Sequence, residues 1–221
     1  MTISIIGLDI AKNVFQVHGE DAGGGVVVQK RLGRKGMIEF FSKLPPCVVA
    51  LEACGTSHYW GRTLRALGHD VRLIPAAYVK PFVKRNKTDA RDAAAICVAA
   101  LRPDMREVAI KSEAQQASRA LERSRELLVK QRTQAMNSLR AMLAEFGVAA
   151  AQGARGFAEL TARLRSDDPG LPETLVGALR VVLAQLDTLT PAIAALENRS
   201  RRSSRPIRTC GGSPACPASA F

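Results

Sequence analysis

Asn86-Lys87-Thr88-Asp89-Ala90-Arg91-Asp92-Ala93 sets two carboxylates three residues apart at the head of an Ala-rich, helix-favouring run. That spacing is close to one helical turn. Asp89 and Asp92 are therefore expected on one face of a helix running from Asp89 to Leu101, both in the first turn, where the helix dipole favours negative charge. Lys80, Lys84, Arg85, Lys87 and Arg91 surround them. Taken alone, with Thr88 as the cap, the same stretch also suits a well-capped surface helix. The sequence upstream tips the balance.

Ile3 to Asp9 is an almost continuous apolar run that ends in a carboxylate, the pattern of a buried strand. Cys47 to Leu51 repeats it and ends at Glu52. Between them, Lys12 to Glu20 alternates, and Gly23-Gly24-Gly25 turns the chain into a third strand, Val26 to Arg31, so the first three strands form an antiparallel meander. Gly36 to Leu44 has helical spacing and stops at Pro45-Pro46, Ser57 to Leu67 is an amphipathic helix closed by Gly68, and Asp70 to Ile74 is a fifth strand. Strands alternating with helices imply parallel pairing through crossovers, hence a mixed α/β sheet over residues 1–105. The carboxyl ends of neighbouring parallel strands share one edge. Asp9 and Glu52 belong there, and the helix starting at Asp89 can bring two more carboxylates to it.

Past Pro103 the pattern becomes long helix. Leu121, Leu127, Leu128, Leu139, Met142, Leu143 and Phe146 form an apolar stripe, and neither Gly nor Pro interrupts residues 111–146. This predicts an antiparallel coiled-coil arm over 106–200, paired with Leu171 to Leu196 after breaks at Gly153, Gly156 and Asp167-Asp168-Pro169-Gly170, with Pro191 kinking or splitting the second helix. Arg119, Arg123, Arg125, Lys130, Arg132 and Arg140 either follow a phosphate backbone or form a solvated face. Leu121, Leu128, Leu139 and Leu143 need an apolar partner, so self-association is expected. Residues 201–221 lack either period and read as an unstructured tail, with a composition break near Ser203 that resembles a change of reading frame.

The 221 residues carry a net charge of +12 and are 47% hydrophobic, a globular composition that favours a polyanionic partner. No apolar run of membrane-spanning length and no leader pattern is evident, which points to a cytoplasmic address. Five cysteines is an odd number for a disulfide framework; Cys47, Cys54 and Cys97 sit in apolar segments and are expected to pack as reduced thiols without metal.

Asp9, Glu52, Asp89 and Asp92 would repel one another unless cations intervened. A few hard carboxylate oxygens completed by water and phosphate suit Mg²⁺ or Mn²⁺, and two such ions serve phosphoryl transfer. Gly7-Leu8-Asp9-Ile10-Ala11-Lys12, Leu51-Glu52-Ala53-Cys54-Gly55 and Lys87-Thr88-Asp89-Ala90-Arg91-Asp92-Ala93 resemble, in order and spacing, the motifs of the DEDD transposases of the insertion-sequence 110 group. The resemblance covers residues 1 to about 200. It implies a ribonuclease-H-like, Holliday-junction-resolvase-like N-terminal domain with Asp9, Glu52, Asp89 and Asp92 as catalytic, metal-binding tetrad. It also implies a coiled-coil dimerisation arm, with DNA and an element-encoded guide RNA as partners; the basic setting of the acids itself points to nucleic-acid contacts through Lys12, Lys84, Arg85, Lys87 and Arg91. The family's C-terminal domain with its serine nucleophile has no match after Arg202, so a truncated, recombination-incompetent copy is expected. The alternative is a non-catalytic fragment that binds nucleic acid and dimerises. A sugar-kinase or actin-like ATPase also opens with a strand ending in Asp, but its phosphate loop needs a glycine where Ile10-Ala11-Lys12 stands.

Overall fold

The computed structural model describes residues 2–82 and 89–203, with the backbone only for residues 89, 90 and 203. Lys84, Arg85, Lys87, the Thr88 cap and the tail from residue 204, with its proposed change of frame, lie outside the described residues. Two compact units divide at Ala114/Gln115.

The first unit is built on a five-stranded sheet: β1 (Ile5–Ile10), β2 (Val14–Glu20), β3 (Val26–Gly33), β4 (Val48–Glu52) and β5 (Asp70–Ile74). Their order across the sheet is β3-β2-β1-β4-β5. The meander expected from the glycine turn is antiparallel, and of the two strands reached through helical crossovers β4 pairs in parallel with β1 and β5 in parallel with β4. Helices α1 (Arg34–Ser42) and α2 (Ser57–Ala66) supply those crossovers, followed by a short α3 (Ala76–Val79) and α4 (Asp89–Ala100).

Strand alternation sorts the side chains into two cores. Ile6, Leu8, Val49, Leu51, Val71 and Leu73 pack with Phe15, Met37, Phe41, Trp60 and Leu64 on the side of α1 and α2. Ile5, Ala50 and Ile74 pack with Ala95, Ile96, Cys97, Ala99 and Ala100 of α4 on the other. After α4 the chain returns without regular structure: Val108 N–H donates to Leu73 O on the outer edge of β5 at 2.8 Å, and Ile110 lies over Gly61 of α2.

The second unit contains α5 (Glu113–Ala144), α6 (Ala154–Arg165) and α7 (Glu173–Ser203). Two expectations hold only in part. The glycines taken as breaks frame a third helix: Gly153 caps α6 with φ +94°, a conformation open to glycine, and Gly156 lies inside it. Pro191 does not split α7, which runs through it. Pro191 and Asp187, whose carbonyl loses its helical donor, are both exposed, so water can satisfy that oxygen.

Leu139 and Leu143, expected to need an outside partner, are fully buried within their own chain against Leu160, Leu164, Leu179, Leu183, Leu186 and Leu189. Leu128 packs at the margin of the same core. Among the described residues, α7 alone is long and apolar enough to cross a membrane by length and composition, a stretch the sequence reading passed over. Its buried leucines belong to this core. Three of the arm's basic residues have structural partners: Arg119 pairs with Glu122, Arg125 with Glu197 on α7, and Arg140 donates to the carbonyls of Ala150, Ala151 and Gly153.

Cys47 and Cys97 are buried as expected, but Cys54 is exposed, because the loop after β4 turns it out of the apolar run that precedes it. Burial, and then the charge of Glu20, push the Cys97 thiol up to about 12. Alkylation with iodoacetamide at mildly alkaline pH, followed by peptide mass mapping, is therefore expected to label Cys54 within minutes and to spare Cys97 until denaturant is added. Equal labelling of the two in the native protein would contradict this packing.

Candidate functional site

β1 and β4 run side by side with Leu8 opposite Leu51, so the next step along the register sets Asp9 beside Glu52. Both close apolar strands because burial ends there, and both are half-buried. Alternation turns them to one face: Asp9 follows Ile5 and Gly7, and Glu52 follows Ala50, all on the side covered by α4. Gln16, opposite Asp9 on β2, shares that face and is also half-buried. Sequence reasoning did not single it out. Its signal was there, as the polar member of an alternation whose apolar members are Phe15 and Val17.

What brings α4 down is Gly7. A β-carbon on it would run into the carbonyl oxygen of Ala93 and would lie 2.9 Å from Cys97 Sγ and 3.0 Å from Cys97 N. The helix backbone therefore rests directly on β1. Cys97, kept protonated, donates to His18 O at 3.3 Å. His18 is itself held by Glu20 Oε1 at 3.0 Å and Gln29 Nε2 at 3.1 Å. With Ala93 over Gly7, the first turn of α4 lies toward the carboxyl end of β1. Asp92 is half-buried in that turn, with its Oδ1 enclosed. Asp89 is the first residue of α4, and its side chain is outside the described residues. Lys12 is exposed in the β1–β2 turn and Arg91 on the first turn of α4.

Asp9 and Glu52 at the strand ends offer hard carboxylate oxygens, the ligand type that Mg²⁺ and Mn²⁺ take. Among the described residues, however, no three His, Cys, Asp or Glu side chains converge closely enough to hold a metal ion.

The family model for the DEDD transposases of the IS110 type, described as "Transposase", matches residues 6–147. The chain belongs to that family. It is 48% identical over 201 residues to a protein of Pseudomonas aeruginosa named "Probable family 20 transposase", covering 90% of this chain and 60% of that one. The "Transposase for insertion sequence element IS1328" of Yersinia enterocolitica is 42% identical over 151 residues, 68% of this chain and 45% of its own length. The "Transposase for insertion sequence element IS1111A" of Coxiella burnetii is 37% identical over 209 residues, 94% of this chain and 57% of its own. The chain thus spans about half the length of the curated relatives it matches. The family match includes Asp9, Glu52, Asp89 and Asp92.

Proposed function

We propose that this DEDD family member carries the carboxylate site of an insertion-sequence transposase, in which Asp9, Glu52, Asp89 and Asp92 hold Mg²⁺ or Mn²⁺ for DNA strand cleavage and transfer. The observation that carries it is the juxtaposition of Asp9 and Glu52 on adjacent parallel strands, on the face where α4 begins with two further acids. Bound there, the ions supply charge stabilisation at phosphate oxygens. The carboxylates hold them, and the exposed Lys12 and Arg91, with Lys84, Arg85 and Lys87, meet the DNA backbone. The sheet order supports a ribonuclease-H-like reading of the first unit. The tie of Arg125 to Glu197 supports an antiparallel coiled-coil reading of α5 and α7. Self-association of that unit would rest on Leu127 and Val181, which are 55% and 71% exposed. An element-encoded RNA is a second polyanion that a net charge of +12 accommodates, and a cytoplasmic, nucleoid-associated location accompanies the role.

A second reading, a nucleic-acid-binding and dimerising module without catalysis, is favoured by one observation: the net charge of +12 suits a polyanion without calling on the carboxylates. One experiment serves both. The purified protein is titrated with duplexes carrying the ends of its element, with Mg²⁺ or with chelator, and binding and nicking are scored separately. If the five basic side chains each meet a phosphate, log affinity should fall with log salt at a slope of roughly −4 to −5. Mg²⁺-dependent nicking supports the first reading, and binding without nicking the second. A salt-independent affinity would remove both.

A further inference from the structure

The sheet edge that carries Asp9 and Glu52 has a second face. α1 begins directly after Gly33, which pairs with Val14 at that edge, and α2 begins one short loop after Glu52. The two helix starts meet there, on the side opposite α4. Trp60 is buried in the core, edge-on to Phe15 at 5.0 Å between ring centroids. Tyr59 packs edge-on against Trp60 at 5.2 Å, yet remains 45% exposed. The guanidinium of the exposed Arg34 lies 5.4 Å from the Trp60 ring centroid and 6.0 Å from that of Tyr59. On the next turn, Arg62 donates to Lys111 O at 2.6 Å, and Lys111 N–H donates to His58 Nδ1 at 3.2 Å. Burial first, and then the charges of Lys111 and Arg62, lower the pKa of His58. Glu113, whose carboxylate reaches Arg62 at 4.0 Å, is itself 88% exposed.

We propose that Tyr59 and Arg34, with Arg62 and Lys111 beside them, form a contact for single-stranded DNA, in which an unpaired base stacks on the Tyr59 ring and the cations meet the flanking phosphates. A tyrosine serving only the core would bury its ring as Trp60 does. An exposed aromatic ring packed against Trp60 and flanked by cations is instead the chemistry that receives a base and its phosphates. Duplex DNA offers its phosphates but keeps its base faces stacked, so Tyr59 distinguishes single strand from duplex where the cations do not. The position gives the contact its use: a strand parted near Glu52 can cross the sheet edge onto α2. The inference rests on the strand-cleavage reading for that use, though not for the binding itself.

The test is run in EDTA, so that it is independent of any metal at the carboxylates. Trp60 is the only tryptophan in the chain. Its emission should be quenched when oligo(dT) is titrated into the unaltered protein. In anisotropy titrations with labelled oligo(dT), Tyr59→Leu should weaken binding about tenfold while Tyr59→Phe stays within about twofold, and a hairpin duplex should bind all three proteins alike to within about twofold. Arg34→Gln should weaken oligo(dT) binding about threefold at low salt. Unchanged affinity of Tyr59→Leu for oligo(dT), an equal loss on the duplex, or no quenching of Trp60 by saturating oligo(dT) would overturn the proposal. None of those results would bear on Mg²⁺-dependent nicking, whose failure in turn would leave this contact standing.

Discussion

Asp9→Asn is expected to lower affinity for Mn²⁺ at least about tenfold and to reduce metal-dependent nicking by about 10²- to 10³-fold, with little change in DNA affinity. The substitution keeps the shape of the side chain and removes one anionic oxygen at the centre of the proposed set, beside Glu52 and opposite Gln16. If four acids share cations, each lost charge weakens both the ligand field and the compensation of the others, so the effect should exceed that of any remote acid. Asp70→Asn supplies the comparison, because it removes the same charge at the amino end of β5, the opposite edge of the sheet. Calorimetry gives the affinity directly. Melting gives it independently, since a ligand that binds only the folded state raises the midpoint with its concentration. Mn²⁺ should therefore raise the midpoint of the unaltered protein and of Asp70→Asn, but not that of Asp9→Asn. Equal Mn²⁺ affinity in Asp9→Asn and the unaltered protein would remove Asp9 from the site.

The strand-end carboxylates were legible because burial is written in the sequence as unbroken apolar runs, and Asp9 and Glu52 stand where those runs stop. Parallel pairing followed from the helices between strands. The two together place the acids on one edge, and the register agrees. Which face they take was less visible, since alternation fixes relative faces within a strand but not which face a later helix will cover. Gly7 carried that information. A glycine inside an apolar strand signals close approach of another backbone, and here it is α4 that approaches. The return of residues 103–112 along β5 and over α2 was invisible because it has no period, only single contacts such as Val108 to Leu73. In the helical unit, the break at Gly153 was legible, since its positive φ ends the loop before α6, whereas Gly156 and Pro191 stand inside helices, where Pro191 is tolerated because it and the carbonyl it leaves without a donor face solvent.

Gly7→Ala is expected to destabilise the first unit by roughly 3 kcal/mol, lowering its melting midpoint by about 10–20 °C, and to weaken Mn²⁺ binding without touching a carboxylate. The added methyl would meet Ala93 O, Cys97 N and Cys97 Sγ at once, and the first two are backbone atoms of a helix that cannot yield by changing a rotamer. Either α4 lifts as a body or β1 bends away. Both move the first turn of α4 away from β1, and with it the proposed contribution of Asp89 and Asp92, and both loosen the core that Ala95, Ile96 and Cys97 make with Ile5 and Ala50. The sign is decided by that contact and not by glycine as such. Gly36, inside α1, has nothing within 4 Å of a β-carbon, so Gly36→Ala should instead raise stability by up to about 1 kcal/mol through helix propensity. Circular dichroism melts of the two variants, read beside Mn²⁺ calorimetry, separate the outcomes. If Gly7→Ala melts with the unaltered protein, α4 does not rest on β1, and the proposed route of its two acids to the sheet edge is lost.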